Sequence, residues 1–291
     1  MTEQAKTEPP KSGLVRRIGP AILMSIFALA VTISGGWFFA FAAALCGVLM
    51  VMEWQTMTGV SRNSATGILQ SSSIIVAVGL SVVGPYSASL AVLGLGALAA
   101  GAVAKIHGTK LWHGIFGVLY LGVPMLGAMW LRNAPGDMSG GVAHVGLFNI
   151  LWVFAVVWAG DTGAYAFGRI IGGAKLAPAI SPNKTWAGSL GGAFLSILAG
   201  LSMAYLAADM TEIQPPVIWL VALVSLGVGV VAQLGDLFES SLKRSLGVKD
   251  SGTLIPGHGG ALDRLDSFLF AVVLGVALIM IFGGDGHVWI G

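Results

Sequence analysis

"IGPAILMSIFALAVTISGGWFFAFAAALCGVLMVM", Ile18 to Met52, runs without a single Asp, Glu, Lys or Arg. A helix needs about 20 apolar residues to cross a hydrocarbon core of roughly 30 Å, so this stretch is long enough for two, and the pair Gly35-Gly36 cuts it. The rest of the chain repeats the pattern. Residues 63 to 104 are charge-free and break at Gly84-Pro85, giving two more helices. Residues 111 to 131, 138 to 160, 185 to 208, 213 to 235 and 267 to 284 give one each. Strand-like alternation is absent, which argues against a barrel. The expected fold is all-α, a polytopic membrane protein of about nine transmembrane helices.

Composition agrees. Of 291 residues, 56% are hydrophobic and 10% charged, and the mean hydropathy is +0.86, whereas soluble domains carry roughly 25% charge. A net charge of +2, with no basic stripe interleaved with aromatics, excludes a nucleic-acid partner. The lone cysteine, Cys46, sits in an apolar run and can build neither a disulfide framework nor a thiolate metal site.

Lys6, Lys11, Arg16 and Arg17 precede the first span and set the N-terminus in the cytoplasm. Nine alternating crossings then leave the C-terminus external. The cytoplasmic side receives the tail and the loops around 53 to 62, 105 to 110, 161 to 184 and 236 to 266. Those segments hold every Lys and Arg but Arg132, as positive-inside topology requires. The chain divides into a disordered tail at 1–17, N-terminal transmembrane helices at 18–131 and a catalytic transmembrane region at 138–284. The first span also has the length and small-residue end, Ser34-Gly35-Gly36, of a signal peptide; a first helix of a polytopic protein reads the same way.

The chemistry gathers in two of these loops. One, "WAGDTGAYAFGRIIGGAKLAPAISPNKTWAGS", offers Asp161, Arg169, Lys175 and Lys184 among glycines and prolines. The other runs from "GDLFESSLKR" to "LDRLDS". A helix over Gln233 to Arg244 puts Asp236, Ser240 and Lys243 on one face with Glu239 beside them. Asp263 and Asp266, at i and i+3, share a face at the start of the last span. Charges at a helix centre cost about 2.5 to 3.5 kcal/mol, so these four carboxylates must face water or a protein cavity. Between them lies "GVKDSGTLIPGHGGALD", whose glycines let backbone N–H groups approach an anion. Lys243, Arg244, Lys249 and Arg264 add phosphate-holding cations. Carboxylates beside phosphate repel it unless a divalent cation lies between. The residues therefore point to a metal-and-phosphate site at the cytoplasmic face. Against that stand plainer readings: Arg62, Lys105 and Lys110 as topogenic charge, His258 as a structural loop residue, the other histidines as interfacial. Trp54 reads as belt tryptophan with Glu53 undecided beside it, and spacings such as Gly94 with Gly101 as helix packing.

The run Ser241, Lys243-Arg244, Lys249-Asp250, Gly252, Pro256, His258-Gly259-Gly260, Asp263-Arg264 and Asp266 resembles the signature of the phosphatidate cytidylyltransferase (CDP-diacylglycerol synthase) family. The upstream "DTGAYAFGR" and "LAPAISPNKTWAG" resemble that family's preceding block, in the same order. Ala187 stands where many members carry glutamate, and Ala261 where a larger aliphatic is usual. The resemblance implies transfer of CMP from CTP to phosphatidate, with Mg²⁺ as cofactor held by Asp236 and Asp263. Asp250 and Asp266 would support those ligands. Lys243, Arg244 and Arg264 would hold phosphates, and Lys184 and Ser181 the nucleotide or headgroup, with Asp161 orienting these bases. Ser240, Lys249, His258, Gly259 and Gly260 complete the substrate-binding set. CTP, bilayer phosphatidate and membrane lipids are the expected partners, a homodimer is compatible, and the location is a bacterial plasma (inner) membrane. Two rivals stay open: a CTP-using enzyme acting on another lipid phosphate, and a cation-coupled secondary transporter, whose acids should lie near the midplane in broken helices.

Overall fold

A computed structural model describes residues 12–134, 145–211, 216–252 and 259–282, with the side chains of 12–21, 211 and 282 left out. Among the described residues nine helices follow one another: α1 Ser12–Ser34, α2 Gly36–Met57, α3 Ala65–Val83, α4 Tyr86–Ile106, α5 Leu111–Arg132, α6 Val145–Ile170, α7 Trp186–Thr211, α8 Ile218–Ser245 and α9 Leu262–Phe282. Between α6 and α7 lies an antiparallel hairpin of β1 Lys175–Ala177 and β2 Ser181–Thr185. Helices α2 to α9 are each long and apolar enough to cross a membrane, and α1 contributes a shorter apolar stretch, Ile22–Ser34. By length and composition of its helices, the chain is a polytopic membrane protein.

Local chemistry explains the boundaries. Gly35 and Gly36 separate α1 from α2 with φ of 64° and 49°, a region costly for other residues. Gly35 also faces Arg132, whose Nη2 would lie 2.4 Å from an added Cβ. Pro85 precedes α4, Ser64 caps α3 by accepting the Gly67 N–H at 3.1 Å, and Thr185 caps α7 through the Gly188 N–H at 3.1 Å.

The contacts also give the sense of each helix. At one end of the bundle the close of α2 meets the starts of α3, α5 and α9 through Gln55–Gln70, Trp54–His113 and Glu53–Leu262. At the other end Arg132 of α5 donates to the Thr32 and Ile33 carbonyls of α1, and Tyr86 of α4 to Met129 of α5. Neighbouring helices thus alternate in direction, and Arg132 lies at the end opposite the signature loop.

Four expectations need correcting. The segment 161 to 184 is not all loop, because α6 runs on to Ile170: one aspartate does not stop a helix when no proline follows, and the ladder ends near Gly172 at φ 65°. The hairpin modifies the all-α expectation; its strands, of 3 and 5 residues with Pro182 in one, are too short to alternate visibly. Within the expected tail, 12–17 are helical, since Arg16 and Arg17 are good helix formers, while 1–11 lie outside the described residues. Trp54 and His113 are buried, at 0% and 7% exposure, and Trp54 donates to the His113 carbonyl at 2.9 Å, so neither faces lipid as a belt residue would. An indole needs a partner for only one N–H, which that carbonyl supplies.

Of the pair Gly94 and Gly101, an added Cβ on Gly94 would meet nothing within 4 Å, whereas one on Gly101 would meet Ile115 of α5 at 2.6 Å. Glycine packing also joins α6 to α7. A Cβ on Gly163 would meet the Gly191 carbonyl at 2.8 Å, one on Gly188 the Ala164 carbonyl at 2.6 Å, and one on Gly192 the Gly160 carbonyl at 2.7 Å. Backbone lies on backbone, the arrangement small residues permit between membrane helices.

Candidate active site

That close packing brings the last turns of α6 against the hairpin and the start of α7, while α8 and α9 close the opposite wall. A cavity of about 880 Å³ results. Four carboxylates line it, Asp161, Asp236, Asp263 and Asp266, and four cations, Arg169, Lys184, Lys243 and Arg264. Helix length sets its depth. α6 has 26 residues and α8 has 28, about 40 Å at 1.5 Å per residue, which exceeds a core of roughly 30 Å by about two turns. In α8 the excess is the segment from Asp236 to Ser245, after an unbroken charge-free run. The charges therefore gather at helix ends, not at the middle of a span.

The two lysines of the cavity are each paired with acids. Lys184, carried by β2, places Nζ 2.6 Å from Asp236 Oδ2, and Ser240, one turn along α8, donates to Asp236 Oδ1 at 3.4 Å. Lys243 Nζ lies 2.6 Å from Asp263 Oδ1 and 2.5 Å from Glu239 Oε2. Glu239 is wholly buried, so Lys243 bridges one acid beneath the cavity and one in its wall. Asp263 also accepts the Ser251 N–H at 3.1 Å and the Gly260 N–H at 3.0 Å on Oδ2, tying down both ends of the signature loop. Asp161 and Asp266 lie within electrostatic reach of Asp236 and of each other, and the Ser267 hydroxyl bonds Asp161.

Seven of the residues singled out from sequence thus meet in one cavity: Asp161, Lys184, Asp236, Lys243, Asp263, Arg264 and Asp266. Ser240 supports Asp236, and Gly260 supports Asp263. Gly259, at φ 84°, sits beside them. Arg244, Lys249 and Asp250 are exposed and Ser181 half-buried; none of the four is among the lining residues. His258 lies outside the described residues. Sequence reasoning passed over Tyr165, Asn183, Ser189, Gln233 and Ser267, all of which line the cavity, and left Arg169 without a role. Arg169 Nη1 donates to the Tyr165 hydroxyl at 2.7 Å, and Gln233 exchanges bonds with Ser189, its Nε2 donating to the Ser189 carbonyl at 3.1 Å. Spacing could have found two of them: Tyr165 and Arg169 stand four apart on α6, and Gln233 three before Asp236 on α8.

Would these residues suit a magnesium ion? Among the described residues no group of three or more Asp, Glu, His or Cys side chains forms a ready cage. Mg²⁺ rarely uses one; it binds through one or two carboxylates and completes its octahedron with water and substrate phosphates. Hard carboxylate oxygens opening into a cavity fit that habit, with Asp236 and Asp263 in its wall.

The sequence profile of the cytidylyltransferase family matches residues 15–282. The phosphatidate cytidylyltransferase of Brucella suis biovar 1 (strain 1330) is 37% identical over 275 residues, 94% of either chain. That of Staphylococcus aureus (strain COL) is 34% identical over 264 residues, 87% of this chain and 94% of its own. That of Staphylococcus haemolyticus (strain JCSC1435) reaches 50% over 129 residues, 44% of this chain and 48% of its own. From residue 15 to residue 282, then, the helices and the charged cavity are those of a protein that belongs to the cytidylyltransferase family.

Proposed function

We propose that the chain is a membrane nucleotidyltransferase that converts CTP and phosphatidate into CDP-diacylglycerol and pyrophosphate, with its cavity on the cytoplasmic face of a bacterial plasma membrane. The observation that carries this reading is the mixed charge of the cavity, four acids and four bases, in a chain whose relatives bear that name. The alternating helices and the isolation of Arg132 support nine crossings with the N-terminus inside.

A phosphatidate oxygen is ionised at neutral pH and already nucleophilic, so no strong base is required. It attacks the CTP α-phosphorus in line; a new P–O bond forms as the bond to the bridging oxygen breaks, and that electron pair leaves with pyrophosphate. The protein supplies positioning and charge neutralisation. Lys184 and Lys243 turn from their carboxylates towards the phosphates, and Arg169 and Arg264 hold the outer oxygens. Asp236 and Asp263, relieved of those ammonium groups, would hold Mg²⁺, which when bound neutralises phosphate charge. A phosphatidate headgroup reaches a cavity at this depth while its acyl chains stay in the bilayer. A transporter would need its acids near the midplane, and here they gather at helix ends.

The test is direct. Purified protein incubated with labelled CTP and phosphatidate should yield labelled liponucleotide and pyrophosphate only when Mg²⁺ is added. Product from a different lipid phosphate and none from phosphatidate would move the assignment within the family. No nucleotide turnover with any lipid would sink it.

A further inference from the structure

The signature loop is held from behind by a residue nearly 200 positions upstream. Glu53, in the last turns of α2, is fully buried. Its Oε1 accepts the Ala261 N–H at 2.9 Å, and its Oε2 accepts the Leu262 N–H at 2.8 Å and the Ser251 hydroxyl at 3.2 Å. Ala261 and Leu262 carry first N–H groups of α9, which have no acceptor within their own helix. A carboxylate there satisfies two of them and lies at the favourable pole of the helix dipole.

Two glycines of the signature exist in part to admit it. A Cβ on Gly252 would stand 2.7 Å from Glu53 Oε1, and one on Gly260 2.6 Å from Oε2. Asp263 grips the same segments from the cavity side, taking the N–H of Ser251 and of Gly260. Ser251 thus gives its hydroxyl to Glu53 and its N–H to Asp263. The loop ends are pinned between two carboxylates, one of which also faces Lys243 in the cavity.

We propose that Glu53 is a positioning residue of the transfer site: acting through Ser251 and residues 260 to 262, it fixes where Asp263, and with it Lys243, stand in the cavity. The proposal rests on the reading of that cavity as the cytidylyl-transfer site. Among the described residues, none of Glu53's hydrogen-bond partners lines the cavity, so its effect must travel through the loop.

Glu53→Gln keeps the shape but turns an acceptor into an NH₂ that faces backbone donors, whereas Glu53→Asp keeps the charge. In purified Glu53→Gln, kcat should fall roughly 10-fold to 100-fold while KM for CTP moves less than about threefold, because a displaced Asp263–Lys243 pair costs the transition state more than ground-state binding. Amide hydrogen exchange should speed up at Ser251 and at Gly260 to Leu262 but not in α3 to α5. Glu53→Asp should recover part of kcat. A folded Glu53→Gln with parental kcat, or with exchange raised evenly over all helices, overturns the proposal. If that variant fails to fold, Ser251→Ala removes one contact to Glu53 and should lower kcat about threefold to 10-fold; unchanged kcat and exchange there overturn it as well. If the parent makes no liponucleotide, the functional reading fails by itself, and the exchange pattern still decides whether Glu53 holds the loop.

Discussion

The two halves of this bundle keep polar groups among apolar helices by different means. In α2 to α5 the buried polar groups, Glu53 apart, are hydroxyls, an imidazole and two amides, and the amides answer one another: Gln55 Nε2 donates to Gln70 Oε1 at 2.5 Å, and Gln70 Nε2 donates to the His113 and Gly114 carbonyls at 3.0 and 2.9 Å. In α6 to α9 charged groups line a cavity, and two lysines there are paired with acids. A neutral network closed on itself has nothing left to offer a ligand. An ion pair at the edge of a cavity can be opened by a ligand that brings both signs, as a metal nucleotide does. Under the proposed function the first half is the scaffold and the second the site, joined where Glu53 crosses from one to the other.

The largest effect should come from removing a cavity carboxylate. Asp236→Asn and Asp263→Asn keep size and most hydrogen bonding but lose the anionic oxygen a hard cation prefers. Each should lower CMP transfer by about 100-fold to 1,000-fold with little change in thermal midpoint. Glu239→Gln, on the same helix but beneath the cavity, should keep more. Transfer assayed across a wide Mg²⁺ range, beside thermal unfolding in detergent, checks this. Both Asn variants active at an unchanged Mg²⁺ requirement would move the acidic site to Asp161 and Asp266.

Lys243 should behave differently, since it serves both halves of the argument. From sequence it reads as a phosphate contact. The structure makes it the partner of the fully buried Glu239 as well. Lys243→Met strands that carboxylate, and breaking a buried pair from one side costs about 3 to 5 kcal/mol. The double variant Lys243→Met with Glu239→Gln should regain most of that stability and none of the activity. Denaturation and turnover measured on the same samples separate the two roles; if the double variant stays as unstable as the single, Glu239 is not what Lys243 stabilises.

How far sequence could see follows from how far apart the partners lie. The helices were legible because a charge-free gap is a local signal, and their breaks at Gly35-Gly36 and Gly84-Pro85 needed only the residues themselves. The face shared by Asp236, Ser240 and Lys243 was legible from helical spacing. Asp161 misled, since a charge after an apolar run reads as the end of a helix, yet α6 carries it two turns further. Glu53 could not be weighed, because its partners Ala261 and Leu262 lie 208 and 209 residues away and no spacing rule reaches that far. Trp54 was misread for a similar reason: its acceptor is the carbonyl of a residue on another helix.

The smallest expected effect tests whether the scaffold is only a scaffold. Gln70 is fully buried, and Gly117 is close enough that a Cβ there would meet its Nε2 at 2.2 Å, so α3 and α5 approach closely around this amide. Gln70→Leu fills a similar volume but leaves Gln55 Nε2 without its acceptor and removes the second donor to the His113 and Gly114 carbonyls. In water such losses cost about 1 to 3 kcal/mol. Between membrane helices a hydrogen bond averages about 0.6 kcal/mol, because the separated helices also find partners. The membrane value should govern here, and the loss should be near 1 kcal/mol, a shift of a few degrees in thermal midpoint. Turnover should stay within about threefold of the parent, because Glu53 keeps its own three contacts with the loop. A Gln70→Leu variant that keeps its midpoint but loses as much kcat as Glu53→Gln would break the division into scaffold and site. The neutral network would then have to be counted, through Gln55 and Trp54, as part of what positions the catalytic loop.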